Sequence, residues 1–127
     1  MTLNLDIQKR INETFLWLKT QTTSRQIDEV WTVITTPFLD RHNDCLQIYV
    51  KKENGEYFLT DDGYTISDLD NSGLVLDQQD LLQERISGFG GVCLVDDQLT
   101  IRASEENFPR KQFNLIQAML AIIWTTR

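Results

Sequence analysis

Apolar residues recur at Ile7, Ile11, Phe15 and Leu18, three or four positions apart, while Lys9, Arg10 and Glu13 fall off that line. The spacing predicts an amphipathic helix from Asp6 to Thr20, closed by the turn-prone run Thr22-Thr23-Ser24. The period then shortens. Ile27 to Thr36 is rich in β-branched residues and predicts a strand, which Pro37 either stops or confines to a sheet edge. Beyond it, Leu46, Ile48 and Val50 alternate with polar positions, Asn54-Gly55 follows, and Tyr57 and Leu59 resume the alternation. Asn-Gly supplies the two positive φ angles of a type I′ turn, so this is a hairpin. A two-residue turn places Glu53 opposite Glu56, Val50 opposite Leu59 and Ile48 opposite Asp61. Leu46, Ile48, Val50, Tyr57 and Leu59 then share the core face.

Past the hairpin, Asp61-Asp62-Gly63 leads into a short helix from Tyr64 to Leu69, which Asn71-Ser72-Gly73 breaks. Asp77 is placed to cap another helix running to about Ser87, with Leu81, Leu82 and Ile86 as its buried stripe. After the turn Gly88-Phe89-Gly90-Gly91, a second hairpin joins Val92–Val95 to Gln98–Ala103 through Asp96-Asp97. A final helix starts near Asn107, tolerates Pro109 in its first turn, and runs to the C-terminus. The predicted order is α-β-β-β-α-α-β-β-α. It implies one α+β domain over residues 1–127, with a mostly antiparallel sheet, an N-terminal helix, two short central helices and a C-terminal helix. The last helix carries two apolar stripes, Phe113-Ile116-Leu120-Trp124 and Leu115-Met119-Ile122. Burial on two sides requires either a central place in the core or a covering partner, with Leu115, Met119 and Ile122 as the partner face.

Charge changes this picture more by its placement than by its sum. The net charge is −7: residues 1–60 carry −1, residues 61–106 carry −9, and residues 107–127 carry +3. Such a balance speaks against conventional nucleic-acid binding, which needs basic surface to displace counterions. Asp62, Asp68, Asp70, Asp77 and Asp80 lie in the acidic stretch, which either forms a solvated face or steers a basic partner. No signal peptide or bilayer-length apolar run is present, so a cytoplasmic protein is expected. Cys45 and Cys93 fall inside strand-like segments without metal-site or redox spacing and read as reduced, small apolar residues.

One stretch is dense in reactive side chains: Asp40-Arg41-His42-Asn43-Asp44, just before the first hairpin. The register places it at the same end as Asp61-Asp62, opposite the turn. Asp40, His42, Asp44, Asp61 and Asp62 are therefore candidates to gather around a divalent metal and activate water for hydrolysis. The same residues also suit purely structural work, because aspartates before Gly63 and a helix serve as N-cap and turn residues. A phosphate-binding loop, a nucleophile elbow and a catalytic-thiol signature are all missing.

The runs Thr36-Pro37-Phe38-Leu39-Asp40-Arg41-His42-Asn43-Asp44 and Leu59-Thr60-Asp61-Asp62-Gly63-Tyr64-Thr65-Ile66-Ser67-Asp68-Leu69 resemble the bacterial family catalogued as domain of unknown function 1828. Asn107-Phe108-Pro109-Arg110-Lys111 and Leu115-Ile116-Gln117-Ala118-Met119-Leu120 resemble its final helix. The resemblance implies no assigned activity; it implies an occurrence in bacterial genomes, prophages and other mobile elements. Longer members continue into a second domain, whereas this chain stops at Ile122-Ile123-Trp124-Thr125-Thr126-Arg127. The leading expectation is an acidic, mobile-element binding protein without a cofactor, which inhibits a host nucleic-acid-handling defence protein. Its interaction surface would comprise Asp40, Arg41, His42, Asp44, Asp61, Asp62, Asp68, Asp70, Asp77 and Asp80. Two alternatives stand beside it: a metal-dependent nuclease or hydrolase using the Asp/His cluster, and a regulatory homodimer joined through the C-terminal helix.

Overall fold

The structure, a computed structural model, describes residues 2–71 and 79–125. Helix α1 (Thr2–Gln21) leads into strands β1 (Thr23–Gln26), β2 (Thr32–Leu39), β3 (Cys45–Glu53) and β4 (Glu56–Thr60). Helices α2 (Tyr64–Asn71) and α3 (Gln79–Ile86) follow, then β5 (Cys93–Val95), β6 (Gln98–Ala103) and α4 (Phe108–Thr125). The six strands form one antiparallel sheet in the order β1-β2-β3-β4-β6-β5, so the architecture is α+β. Asn71, expected to begin the break, is the last residue of α2; Ser72-Gly73 and the expected cap at Asp77 lie outside the described residues, as do the side chains of Asp80 and Leu81.

Both hairpins turn on residues that tolerate positive φ. Asn54 and Gly55 have φ of 52° and 81°, and Asp96 and Asp97 have 51° and 63°, as a type I′ turn demands. The first turn produces the expected pairs Val50–Leu59 and Glu53–Glu56. Leu46, Ile48 and Leu59 are accordingly buried on the inner face. Against them pack Ile66 and Leu69 of α2, Leu82 and Ile86 of α3, and Leu115, Ile116, Met119, Ile122 and Ile123 of α4. The reciprocal bonds Ser104 N to Asn107 Oδ1 and Asn107 N to Ser104 Oγ, at 2.7 and 3.2 Å, cap α4.

Four expectations need correction. Ile27 to Trp31 is not strand but a turn, held by the Asp28 carboxylate accepting from Val30 N and Trp31 N at 2.8 and 2.7 Å. The local aspartate bond outcompetes the sheet ladder there. Thr23 and Ser24, expected in the turn that closes the first helix, instead begin the edge strand Thr23–Gln26, which pairs with Thr32–Thr35. Pro37 neither stops β2 nor marks an edge. It sits where the β2–β3 register shifts between Thr35 and Leu39, and in such an irregularity a missing N–H leaves no ladder bond broken. Lastly, Leu115, Met119 and Ile122 are not a partner face; each is at most 1% exposed within the chain's own core.

Helix α1 is the opposite case. It forms where its period predicts but begins at Thr2 and not at Asp6, and none of its residues is buried. Ile7 and Ile11 are 45% and 39% exposed, and Phe15, Leu16 and Trp17 are all above half. Its main contact with the rest of the domain is at β2. Among the described residues no helix is long and apolar enough to cross a membrane.

Candidate functional site

The β2–β3 connection and the β4–α2 connection meet at the end of the sheet opposite the Asn54-Gly55 turn. Asp40 organises the first of them. It is only 1% exposed, and its Oδ1 accepts from His42 N and Asp44 N at 2.8 and 3.0 Å. Asn43 takes a positive φ of 63° while its N–H bonds the Asp40 carbonyl, and Asp40 N bonds the Asp44 carbonyl at 2.9 Å. The loop is thus wound around one carboxylate.

Asp61 plays the same part in the second connection. It is fully buried; Oδ1 accepts from Gly63 N and Leu99 N at 2.9 and 3.0 Å, and Oδ2 accepts from Thr65 N at 3.0 Å. It therefore caps α2 and ties that cap to β6. Asp62 and Gly63 turn the chain with φ of 58° and 80°.

Two bridges join the connections. The Tyr64 hydroxyl donates to Asp40 Oδ2. Arg41 Nε donates to Asp68 Oδ2 at 3.2 Å, and His42 Nε2 lies 2.8 Å from Asp68 Oδ1. Burial alone would raise the Asp40 carboxyl, but the Tyr64 hydroxyl, the N–H groups of Asp44 and His42 and the His42 charge outweigh it. The group is held below its usual carboxylate value. Burial, the bond to Asp40 and the negative charges of Asp40, Asp68 and Asp44 push the Tyr64 phenol well above its ordinary value. Neither group titrates near neutrality, where general acid–base catalysis operates best.

Above the network opens a pocket of about 610 Å³ whose acidic wall is Asp40, Asp44, Asp61 and Asp62. The structure therefore brings together four of the five candidate metal ligands around one opening, while His42 turns to Asp68 on α2. Proximity does not make a ligand set here. Asp40 and Asp61 spend their oxygens on backbone N–H groups and a phenol, and among the described residues no three such side chains stand where they could hold a metal ion. Of the proposed acidic interaction face, Asp40 and Asp61 are interior, and Asp68 is 13% exposed and paired; Asp44, Asp62 and Asp70 are exposed.

Sequence reasoning missed Tyr64, whose partner lies 24 residues away. Its one sequence signal is a position immediately after the Asp-Asp-Gly turn, at the start of a helix facing the Asp40 loop.

No curated protein and no solved structure matches the chain. Residues 36–122 match the family model described as "Domain of unknown function DUF1828". That segment holds the whole network from Asp40 to Asp68, while α1 and β1 precede it. The chain belongs to the DUF1828 family.

Proposed function

We propose that this protein works by occupying a protein partner and not by catalysis, with α1 as the element that docks. The observation that carries the proposal is a 20-residue helix with no buried residue. Its apolar positions Ile7, Ile11, Phe15 and Leu18 follow the spacing of a helix laid into a hydrophobic groove. Exposed apolar surface of that extent on a soluble domain is the usual mark of an interaction site. The acidic character of residues 61–106 supports a partner with basic surface near that groove, as a nucleic-acid-handling protein carries. Inhibition of a defence enzyme by a mobile-element protein is the specific form of this reading.

Affinity capture from bacterial lysate with the wild type and with Ile11→Asp/Phe15→Asp, followed by titration of the purified partner, tests it. A partner retained by the wild type, bound stoichiometrically in the titration and lost with the variant, is the expected result. Equal retention by both proteins, or no binding in the titration, overturns the assignment to α1.

A further inference from the structure

Helices α2, α3 and α4 pack on the inner face of the sheet. Among the described residues, the opposite face over β3, β4 and β6 has no helix packed on it. Strand alternation makes that face the place for polar side chains, yet its centre is aromatic and cationic. Lys51, Phe58 and Arg102 lie in one cross-strand row, paired Lys51–Phe58 and Phe58–Arg102. Lys51 Nζ and the Arg102 guanidinium each stand 5.4 Å from the Phe58 ring centre. The turn after β1 brings Trp31 over the same row, edge-on to Phe58 at 6.3 Å, with Lys51 also 5.3 Å from its ring. Two clefts flank Phe58. One, of about 210 Å³, is walled by Trp31, Tyr49 and Phe58; the other, of about 420 Å³, is lined by Phe58 and Arg102 together with Cys93, Val95 and Thr100 on the β5 side.

We infer that this open face binds a short stretch of single-stranded nucleic acid, with bases against the rings and phosphates against Lys51 and Arg102. Lys51 and Arg102 stand over the Phe58 ring and Lys51 over Trp31, so a base meets the ring edges and the guanidinium plane, a platform of cations layered on aromatics. Every base has a π-face, so rings of this kind take single strands without a sequence code. The net charge of −7 does not describe this patch, because the described acids of the middle segment lie on α2 and α3 and in the connections 61–62, 96–97 and 105–106, off strands β3, β4 and β6. Asp62, at the rim of the smaller cleft, Glu53, 3.2 Å from Lys51, and Glu56, its exposed cross-strand partner two residues before Phe58, are opposing charges at the edge of the patch. In the Lys51–Glu53 pair the lysine is partly buried but the glutamate is exposed, and a surface pair of this kind is weak enough to yield to a phosphate. This surface is distinct from α1, so its fate is independent of the protein-docking proposal.

The test is fluorescence anisotropy of labelled single-stranded oligonucleotides of about ten residues, titrated with the full chain at several salt concentrations from about 50 mM upward. The expected result is salt-sensitive binding that weakens about tenfold or more in Phe58→Ala. In Lys51→Glu/Arg102→Glu the salt slope should also fall by about one per cation lost. The charge variant alters two surface side chains, and circular dichroism verifies that both variants fold. Absence of binding by the wild type, or an unchanged affinity and slope in the charge variant, overturns the inference. Equal affinity for a duplex or for a free mononucleotide overturns it as well, assigning the face to a different ligand.

Discussion

At the scale of single residues, Asp40 and Tyr64 act as one unit. Replacing Tyr64 with Phe removes the hydroxyl and leaves a buried carboxylate oxygen short of a donor, which should cost about 1–3 kcal/mol of stability. Asp61→Ala strips the acceptor from three backbone N–H groups and should cost more, about 3 kcal/mol; denaturant unfolding measures both. The pH dependence follows from the two opposite shifts. Asp40 is held below its ordinary 3.8 in the folded state, so its contribution is complete above that value and is lost as pH falls through the folded value. Tyr64 is raised above 10.0, so its contribution is complete below 10.0 and is lost as pH rises toward the folded value. Thermal melts of the wild type should therefore lose Tm steeply above pH 10, and Tyr64→Phe should flatten that alkaline limb. Identical alkaline limbs would show that the phenol is not linked to folding.

At the scale of elements, α1 and α4 separate what a hydrophobic pattern reveals from what it leaves open. Both helices announced themselves by period, but a stripe specifies only that something apolar faces it. In α4 the stripe Leu115-Met119-Ile122 meets the sheet, whereas in α1 the stripe Ile7-Ile11-Phe15 meets no core. Asn54-Gly55 and Asp96-Asp97 were legible because turn type follows from local backbone chemistry. Thr23–Gln26 was not, since Thr-Ser-Arg-Gln has no apolar alternation and is a strand only because β2 pairs with it. The cap at Asp61 could be read from its place before Gly63, but the Tyr64–Asp40 bond is a tertiary contact with no local trace. Met119→Ala should thus cost about 2–5 kcal/mol, while Phe15→Asp should stay within about 0.5 kcal/mol of the wild type. A large loss in Phe15→Asp would mean that α1 is packed in solution after all.

For the whole molecule, the bare helix and the acidic charge are coupled. At neutral pH a net charge of −7 opposes contact between copies through the apolar residues of α1, because like-charged molecules repel. Near the isoelectric point of about 4.6 that repulsion vanishes while the exposed stripe remains. Self-association should therefore set in around that pH before unfolding does. The Asp40 carboxyl, held below 3.8, is still ionised there and keeps the β2–β3 loop closed. Light scattering should show particle size rising as pH falls from 8 toward about 5, with an unchanged far-ultraviolet circular dichroism spectrum. Ile11→Asp/Phe15→Asp removes the apolar contact and adds charge at the contact itself, so its size should stay constant until the pH approaches its own, lower isoelectric point. If the variant associates as the wild type does when each is held at its own isoelectric point, a surface other than α1 drives contact between copies. Protection by the variant would identify the stripe as the adhesive face of the molecule and charge as what holds it in reserve.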